Sequence, residues 1–141
     1  HPNPTVRRSF DSLTTISNVK ILDPLAHDDF VRLLRDSSLI ITDSGGIQEE
    51  STVLGVPTLV ARDETERPEA VEAGVAHLVG TDVERIVRVG SDLLRSSISP
   101  EDLSSAANVF GDGQAGVRSA RAIHAFLADV SLPSDMEEVD P

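Results

Sequence analysis

The chain has 141 residues and a formal net charge of -12, from 24 acidic against 12 basic side chains. This length fits one domain with a core of its own, and aromatic residues make up only 3% of the chain, so aliphatic side chains must fill that core. Such an acidic surface argues against general nucleic-acid binding. The absence of cysteine excludes disulfides and thiolate metal sites and fits a reducing compartment.

The two ends of the chain differ from its middle. The chain begins at His1 without an initiator methionine, which indicates the later part of a longer protein, and no apolar run is long enough to cross a membrane. Residues 131–141 are acidic and contain proline. We therefore expect a domain over residues 1–130 and a disordered acidic tail over residues 131–141.

Helical and extended patterns alternate along the domain. Apolar spacing predicts helices over residues 5–15, 28–34, 47–54, 68–73, 82–96, 100–107 and 115–127. Short apolar runs predict strands over residues 19–22, 39–42, 56–61 and 75–79. In the helix over residues 82–96, the side chains expected to face inward are Val83, Ile86, Val87, Val89, Leu93 and Leu94.

This alternation predicts an α/β domain, with a parallel sheet that helices cover on both faces. Ligands of such sheets bind beyond the carboxyl ends of the strands. His1, Ser44 and the charged stretch over residues 62–67 all follow predicted strands. We therefore expect them at the same edge of the sheet, although they are distant in sequence.

The most informative junction runs from Thr42 to Gly46, between a predicted strand and a predicted helix. Its serine and two glycines form a tight turn at the start of the helix. The free N–H groups and the dipole at such a helix end suit a phosphate. The alternative is that Ser44 only caps a helix that binds nothing.

Several other residues allow both a functional and a structural interpretation. Glu50 lies about 9 Å along the helix from Ser44 at about 1.5 Å per residue, a distance that separates a diphosphate from a ribose diol; alternatively, Glu49 and Glu50 form a solvated face. Arg67 either neutralises a phosphate or pairs with Glu64 or Glu69. The glycine-rich stretch over residues 111–116 is interpreted as a turn between helices rather than a dinucleotide fingerprint, with its aspartate facing the cleft as an alternative.

Four segments stand in a specific order and spacing: HPNPTVR at residues 1–7, TDSGGIQEE at 42–50, RDETERPEA at 62–70 and NVFGDGQA at 108–115. Together they resemble the non-hydrolysing UDP-N-acetylglucosamine 2-epimerases of bacteria, over nearly the whole chain apart from the acidic tail. The resemblance implies the Rossmann-like, nucleotide-binding C-terminal half of a two-domain architecture of the glycosyltransferase-B type. It also implies a missing N-terminal domain, a homodimeric full-length enzyme in the cytoplasm, and a role in surface-polysaccharide synthesis.

The same resemblance implies residue roles. Ser44, Gly45 and Gly46 would hold the diphosphate of UDP, Glu50 would bind the ribose hydroxyls, and Arg67 would lie at the active-site cleft. Phe30 would lie beside the uracil, and His1 matches the catalytic-site histidine of the family. Neither a metal nor a cofactor is implied, and the small-molecule partner is UDP-N-acetylglucosamine or UDP.

The implied reaction interconverts UDP-N-acetylglucosamine and UDP-N-acetylmannosamine by elimination and re-addition of UDP. Because the acid–base carboxylates of the family lie in the absent N-terminal half, we expect this chain alone to bind UDP weakly and not to turn over. The alternatives are a hydrolysing 2-epimerase, a glycosyltransferase of the same fold, and a non-catalytic module that binds UDP-sugars.

Overall fold

The computed structural model describes residues 4–96 and 109–128, and the structural statements that follow concern these two stretches. They contain six α-helices and three β-strands. The helices are α1 (Pro4–Ser9), α2 (His27–Arg35), α3 (Gly45–Leu54), α4 (Pro68–Glu72), α5 (Val83–Arg95) and α6 (Ala115–Ala128). The strands are β1 (Ile40–Thr42), β2 (Thr58–Val60) and β3 (Ala76–Leu78), and a 3-10 helix (Asp11–Thr15) follows α1.

The three strands form one parallel sheet in the order β1-β2-β3. Thr42 is in register with Val60, and Val60 with Leu78, so the carboxyl ends of all three strands lie at one edge. The middle strand β2 is buried along its whole length. This arrangement, with a helix after each strand, confirms the α/β class that the alternating pattern predicts.

Helices cover both faces of the sheet, as predicted. Successive residues of a strand point to opposite faces. Val60 packs with Ala70 of α4 and with Ala76, whereas Leu59 faces α5 on the other side. A Cβ added to Gly90 of α5 would lie 3.2 Å from Leu59 Cδ1, so the absence of a side chain at this position lets α5 approach the middle strand closely.

The prediction of a strand over residues 19–22 is wrong. These residues adopt no regular secondary structure, and the side chains of Val19, Ile21 and Leu22 are exposed. A strand is stabilised by its pairing partner, and within the described stretches the neighbour that could accept this run, β1, pairs with β2 alone. A short apolar run therefore predicts extended backbone here but not a sheet.

Helix α5 buries a narrower stripe than the sequence predicts. Ile86, Val89 and Leu93 are partly buried on either side of the buried Gly90. For three residues the prediction of an inward side chain is wrong, because these side chains are exposed: Val83, Val87 and Leu94. At about 100° per residue, these three lie about 20–60° from Gly90 around one side of the helix, whereas Ile86, Val89 and Leu93 lie about 40–100° from it around the other side. The contact with the sheet therefore covers only the side that carries Ile86, Val89 and Leu93.

The remaining predictions fall into three groups. The helices predicted over residues 28–34, 68–73 and 115–127 are confirmed as α2, α4 and α6. The helix predicted over residues 5–15 is divided into α1 and the 3-10 helix. The predicted helix over residues 100–107, the tail and His1 lie outside the described residues. Across residues 4–96 and 109–128, no helix combines the length and the apolar character needed to cross a bilayer.

Gly55 ends α3 in the left-handed conformation, with φ at 66°. Replacing it with alanine should lower the free energy of unfolding by about 1–2 kcal/mol, because a Cβ is strained in this conformation. Gly116 is a matched control: it lies in α6 and a Cβ there would meet nothing within 4 Å. Gly116→Ala should therefore raise the free energy of unfolding by about 0.5–1 kcal/mol. Urea denaturation of both variants checks the prediction, and shifts of the same sign would contradict it.

Candidate functional site

Three segments meet beyond the carboxyl ends of β1 and β2. The N-terminus of α3 follows β1, the loop over residues 61–67 follows β2, and α2 packs beside α3. This edge is where parallel α/β sheets bind their ligands. The structure therefore brings together six of the seven predicted site residues, all except His1: they are Phe30, Ser44, Gly45, Gly46, Glu50 and Arg67.

The N-terminus of α3 carries backbone donors directed at this edge. The Ser44 carbonyl accepts the first helical hydrogen bond, from the Gln48 N–H at 3.2 Å, and the Ser44 N–H donates to Thr42 Oγ1 at 3.1 Å. The Ser44 hydroxyl makes no capping hydrogen bond to the helix, so helix capping does not explain its presence. Gly45 and Gly46 begin the helix, where N–H groups have no acceptor within it and the dipole is positive.

A carboxylate from the neighbouring loop lies beside this helix end. A Cβ added to Gly45 would lie 3.3 Å from Glu66 Oε1. Arg62 Nη1 donates to both carboxylate oxygens of Glu66, at 3.1 and 2.9 Å. A backbone hydrogen bond at Glu66 itself, followed by the charge of Arg62, lowers the pKa of Glu66 below its ordinary value. The carboxylate is therefore anionic at neutral pH, next to the positive end of the helix.

Arg67 is bound to α3 and not to the acids of its own loop. Its Nε donates to Glu49 Oε1, and its Nη1 donates to the Glu66 carbonyl oxygen at 3.0 Å. The predicted alternative partners, Glu64 and Glu69, are thus replaced by Glu49. The hydrogen bond that Arg67 donates to Glu49, followed by the charge of Glu49, raises the pKa of Arg67. With 34% of its side chain exposed, Arg67 is a permanent cation that a ligand at this edge can reach.

The adjacent acids Glu49 and Glu50 have different surroundings. Glu49 pairs with Arg67. Glu50 Oε2 is buried and has no hydrogen-bond partner within residues 4–96 and 109–128. Leaving a buried acceptor without a donor costs about 1–3 kcal/mol. The interpretation of this pair as a merely solvated helix face therefore fails, and Glu50 presents an acceptor for which the described residues supply no donor.

Phe30 borders the same part of α3. It is partly buried and packs, together with Ile47, against the core cluster of Leu34, Ile40 and Val56. Glu50 lies one helical turn beyond Ile47, so Phe30 and Glu50 are on the same side of α3. The structure thus gives Phe30 a packing role next to the predicted site, and its contact with a base stays a prediction.

Gln48 is a site residue that the sequence pattern missed. The apolar spacing of Ile47, Val53 and Leu54 predicts the inward face of α3, yet Val53 is exposed and the fully buried residues are Gln48, Ser51 and Thr52. Gln48 Nε2 donates to the Ser44 carbonyl at 3.3 Å, and Gln48 Oε1 accepts from Thr65 Oγ1 at 2.6 Å. One signal in the sequence could have indicated this buried polar face: Gln48 and Thr52 are polar residues four positions apart, within a predicted helix between two predicted strands.

The glycine-rich stretch over residues 111–116 leads into α6 and supplies its first two residues, while the helix predicted before it lies outside the described residues. Asp112 does not stand free in a cleft: its oxygens accept hydrogen bonds from Arg118 Nη1 and Nη2, both at 2.7 Å. The Gln114 N–H also donates to it, at 3.0 Å. These contacts, with Arg118 first, lower the pKa of Asp112 to about 2. Asp112 therefore fixes the start of α6.

The depressed pKa of Asp112 predicts a pH effect. Stability from this contact should be fully present above the ordinary pKa of 3.8 and lost as the pH falls toward about 2. Replacing Arg118 with glutamine should move the titration midpoint of Asp112 back toward 3.8. Carboxyl chemical shifts measured by NMR between pH 1.5 and 6 check this, and an unchanged midpoint in the variant would contradict the assigned cause.

The fold and the site define a class: an α/β domain of the Rossmann-like kind, with an anion-ready helix end and a cation at the carboxyl edge of its sheet. In the part of the chain that the structure describes, no group of three or more histidines or acids could hold a metal ion. The family model described as UDP-N-acetylglucosamine 2-epimerase matches residues 1–124. The chain belongs to the UDP-N-acetylglucosamine 2-epimerase family, which confirms the resemblance seen in the sequence.

Similar proteins agree with this assignment. The UDP-N-acetylglucosamine 2-epimerase of Escherichia coli (strain K12) is 48% identical over 124 residues, which are 87% of this chain and 33% of that protein. The Staphylococcus aureus MnaA–UDP complex has a TM-score of 0.84 at 36% identity, over 95% of this chain and 36% of that one. The Neisseria meningitidis UDP-GlcNAc 2-epimerase bound to UDP-GlcNAc has a TM-score of 0.66 at 40% identity, over 91% of this chain and 34% of that one. The chain thus spans about a third of the length of the relatives it matches.

Proposed function

We propose that this chain is the UDP-binding part of an enzyme that interconverts UDP-N-acetylglucosamine and UDP-N-acetylmannosamine. The observation that carries the proposal is helix α3, which combines free backbone donors at its N-terminus with the buried, unpartnered Glu50 Oε2 less than two turns further on. One end suits a diphosphate and the other suits a diol. UDP carries these two groups at about this separation.

The diphosphate is assigned to the N-terminus of α3. The N–H groups of Gly45 and Gly46 and the uncapped hydroxyl of Ser44 supply donors, and the helix dipole favours the negative charge. Arg67 supplies the cation from the loop that follows β2. Because Arg67 already pairs with Glu49, it is oriented before the ligand arrives, and less side-chain entropy is lost on binding.

The nucleoside is assigned to the side of α3 that faces α2. Glu50 accepts hydrogen bonds from the ribose hydroxyls, which supply the donors that its buried oxygen lacks. The uracil lies near Phe30, which, like Ile47 of α3, packs against the cluster of Leu34, Ile40 and Val56 and so keeps α2 beside α3. A carboxylate next to the diphosphate would repel it, and the position of Glu50 along the helix provides separation. Glu66 lies beside Gly45, and its pairing with Arg62 offsets its charge there.

The proposed reaction has two balanced steps. A base removes the C2 proton of the sugar while the C1–oxygen bond to the diphosphate breaks, which gives 2-acetamidoglucal and UDP. A diphosphate oxygen then bonds to C1 as an acid delivers a proton to the opposite face of C2. The helix end and Arg67 stabilise the departing diphosphate. The base and the acid are assigned to a further part of a longer polypeptide, with His1 as the candidate from this chain.

Family membership supports the wider setting. We assign the whole enzyme to the cytoplasm, where nucleotide sugars are made, as a homodimer that serves surface-polysaccharide synthesis. The chain alone is expected to bind UDP weakly without turnover, because it spans about a third of its relatives.

Titrating the chain with UDP and, separately, with uridine tests the binding part, by following backbone amide shifts in NMR. UDP should shift the amides of Gly45 and Gly46, and uridine should shift amides near Phe30 and Glu50 without affecting the glycines. Shifts spread evenly over the chain, or none at millimolar UDP, would overturn the proposal.

The reaction is tested with a longer polypeptide that includes this chain, incubated with UDP-N-acetylglucosamine in deuterated water and followed by proton NMR. UDP-N-acetylmannosamine with deuterium at C2 is the expected product. Free N-acetylmannosamine with UDP would instead establish a hydrolysing 2-epimerase. Unchanged substrate with intact UDP binding would favour a glycosyltransferase without its acceptor, or a binding module.

A further inference from the structure

A continuous chain of hydrogen bonds joins the N-terminus of α3 to the backbone of Arg67. The Arg67 N–H donates to Thr65 Oγ1 at 3.0 Å, and the Thr65 hydroxyl donates to Gln48 Oε1 at 2.6 Å. Gln48 Nε2 then donates to the Ser44 carbonyl at 3.3 Å. This series of hydrogen bonds thus links Ser44, the residue before α3, to Arg67, which carries the cation.

The direction of these hydrogen bonds fixes the orientation of the Gln48 amide. In the reverse orientation, Gln48 Oε1 would face the Ser44 carbonyl oxygen, and two acceptors would meet without a proton between them. Only glutamine among the side chains of this length both donates to Ser44 and accepts from Thr65. Because Gln48 is fully buried and Thr65 is partly buried, water competes little for these bonds.

Arg67 is therefore held to α3 twice. Thr65 and Gln48 hold its backbone, and Glu49 holds its guanidinium group. The two contacts on α3 come from neighbouring residues, one buried and one exposed to the cleft. We propose that Gln48 and Thr65 are positioning residues that keep Arg67 at the diphosphate site, an inference that rests on the proposed UDP binding.

Thr65→Val is the most direct test of this network. Valine has nearly the shape of threonine but can neither accept from the Arg67 N–H nor donate to Gln48. Variants of Gln48 are less suitable, because this side chain is fully buried and its loss threatens folding. Thr65→Ser keeps the hydroxyl and is the conservative variant that should rescue binding.

Thr58→Val is the matched control for a lost threonine hydroxyl. Thr58 is fully buried in β2, and its hydroxyl donates to the Val56 carbonyl at 3.0 Å, near the amino end of the strand and away from the site. Thr58→Val should alter the melting temperature without altering the preference of the chain for UDP over uridine. A general loss of stability is thereby separated from a loss of positioning.

The measurement is the ratio of dissociation constants for uridine and UDP, obtained from NMR titrations of the 141-residue chain. Thr65→Val should raise the dissociation constant for UDP about 10-fold and leave that for uridine unchanged, since only diphosphate binding depends on Arg67. Thr65→Ser should stay within about twofold of the unsubstituted chain, with one hydroxyl retained. An unchanged ratio in Thr65→Val overturns the inference.

A second arm asks whether Thr65 acts through Arg67. In an Arg67→Ala background, Thr65→Val should have no further effect on UDP binding, because the group that it positions is gone. An equal loss in both backgrounds would overturn the inference and leave the proposed UDP binding intact. No UDP binding by the unsubstituted chain would overturn the proposed function and this inference with it.

Discussion

Replacing Arg67 with alanine is expected to raise the dissociation constant of the chain for UDP about 10–100-fold while leaving uridine binding unchanged. Hydrogen bonds to a charged group contribute about 1.5–3 kcal/mol, and each 1.4 kcal/mol is about a tenfold change in affinity. Arg67 is partly exposed at the edge where the diphosphate is assigned, and Glu49 already orients it. The loss should therefore fall on the phosphate-bearing ligand alone.

Arg95→Ala is the matched control for the change in net charge. Arg95 lies in the last turn of α5, its side chain is 79% exposed, and its acidic neighbour Asp92 is 3.7 Å away. Its removal should leave both dissociation constants unchanged. If Arg95→Ala weakens UDP binding as much as Arg67→Ala does, the effect comes from overall charge, and Arg67 has no specific role.

Glu49 must be separated from the direct effect of Arg67. In Arg67→Ala the Glu49 carboxylate loses its cation and adds repulsion toward a diphosphate. Adding Glu49→Gln removes that repulsion without restoring a cation. The loss of UDP affinity that persists in the double variant measures the contribution of Arg67 itself. Calorimetric titration at constant ionic strength separates this contribution from the repulsion by Glu49.

Backbone organisation was predictable from the sequence because it depends on local chemistry. Proline at the first position of α4 and glycine after α3 mark helix ends through their own dihedral preferences. The apolar runs of β1, β2 and β3 mark strands that are short but paired. The run over residues 19–22 has the same local character, yet sheet membership depends on a partner strand that no local pattern reveals.

Side-chain placement was less predictable, since it depends on contacts between distant segments. Arg67 pairs with Glu49, 18 positions earlier, although Glu64 and Glu69 are much nearer in sequence. Gln48 is buried because Thr65 and the Ser44 carbonyl satisfy both ends of its amide. A hydrophobic pattern places such a glutamine at the surface, and only the fold brings its partners within reach.

The residue roles that the family resemblance implies stay predictions, and the structure offers a suitable geometry for two of them. The resemblance assigns Ser44, Gly45 and Gly46 to one ligand group, and these residues form one helix end. The resemblance assigns Glu50 to a diol, and its Oε2 is buried with no donor in the part of the chain that the structure describes. If Glu50 were buried only to stabilise the fold, the fold would have to supply a donor for its oxygen. The most informative variant at Glu50 is therefore one whose effects on ligand binding and on stability can be measured separately.

Glu50→Gln should weaken UDP binding about 10–100-fold, because one of the two acceptor oxygens for the ribose diol is replaced by a donor. The free energy of unfolding should stay within about 1 kcal/mol of that of the unsubstituted chain or rise, since glutamine has no charge to bury and burying a charge costs more than burying a neutral amide. Binding and stability would then change in opposite directions, as is common at sites built for a ligand.

Comparing UDP with 2′-deoxy-UDP isolates the diol. The unsubstituted chain should prefer UDP, and Glu50→Gln should reduce that preference, because the contact at the 2′-hydroxyl is weakened. Glu84→Gln, with the same charge change at an exposed position in the first turn of α5, is the control and should alter neither ligand's affinity. If Glu50→Gln is less stable in urea and still prefers UDP over 2′-deoxy-UDP, then Glu50 stabilises the fold and does not bind the ribose.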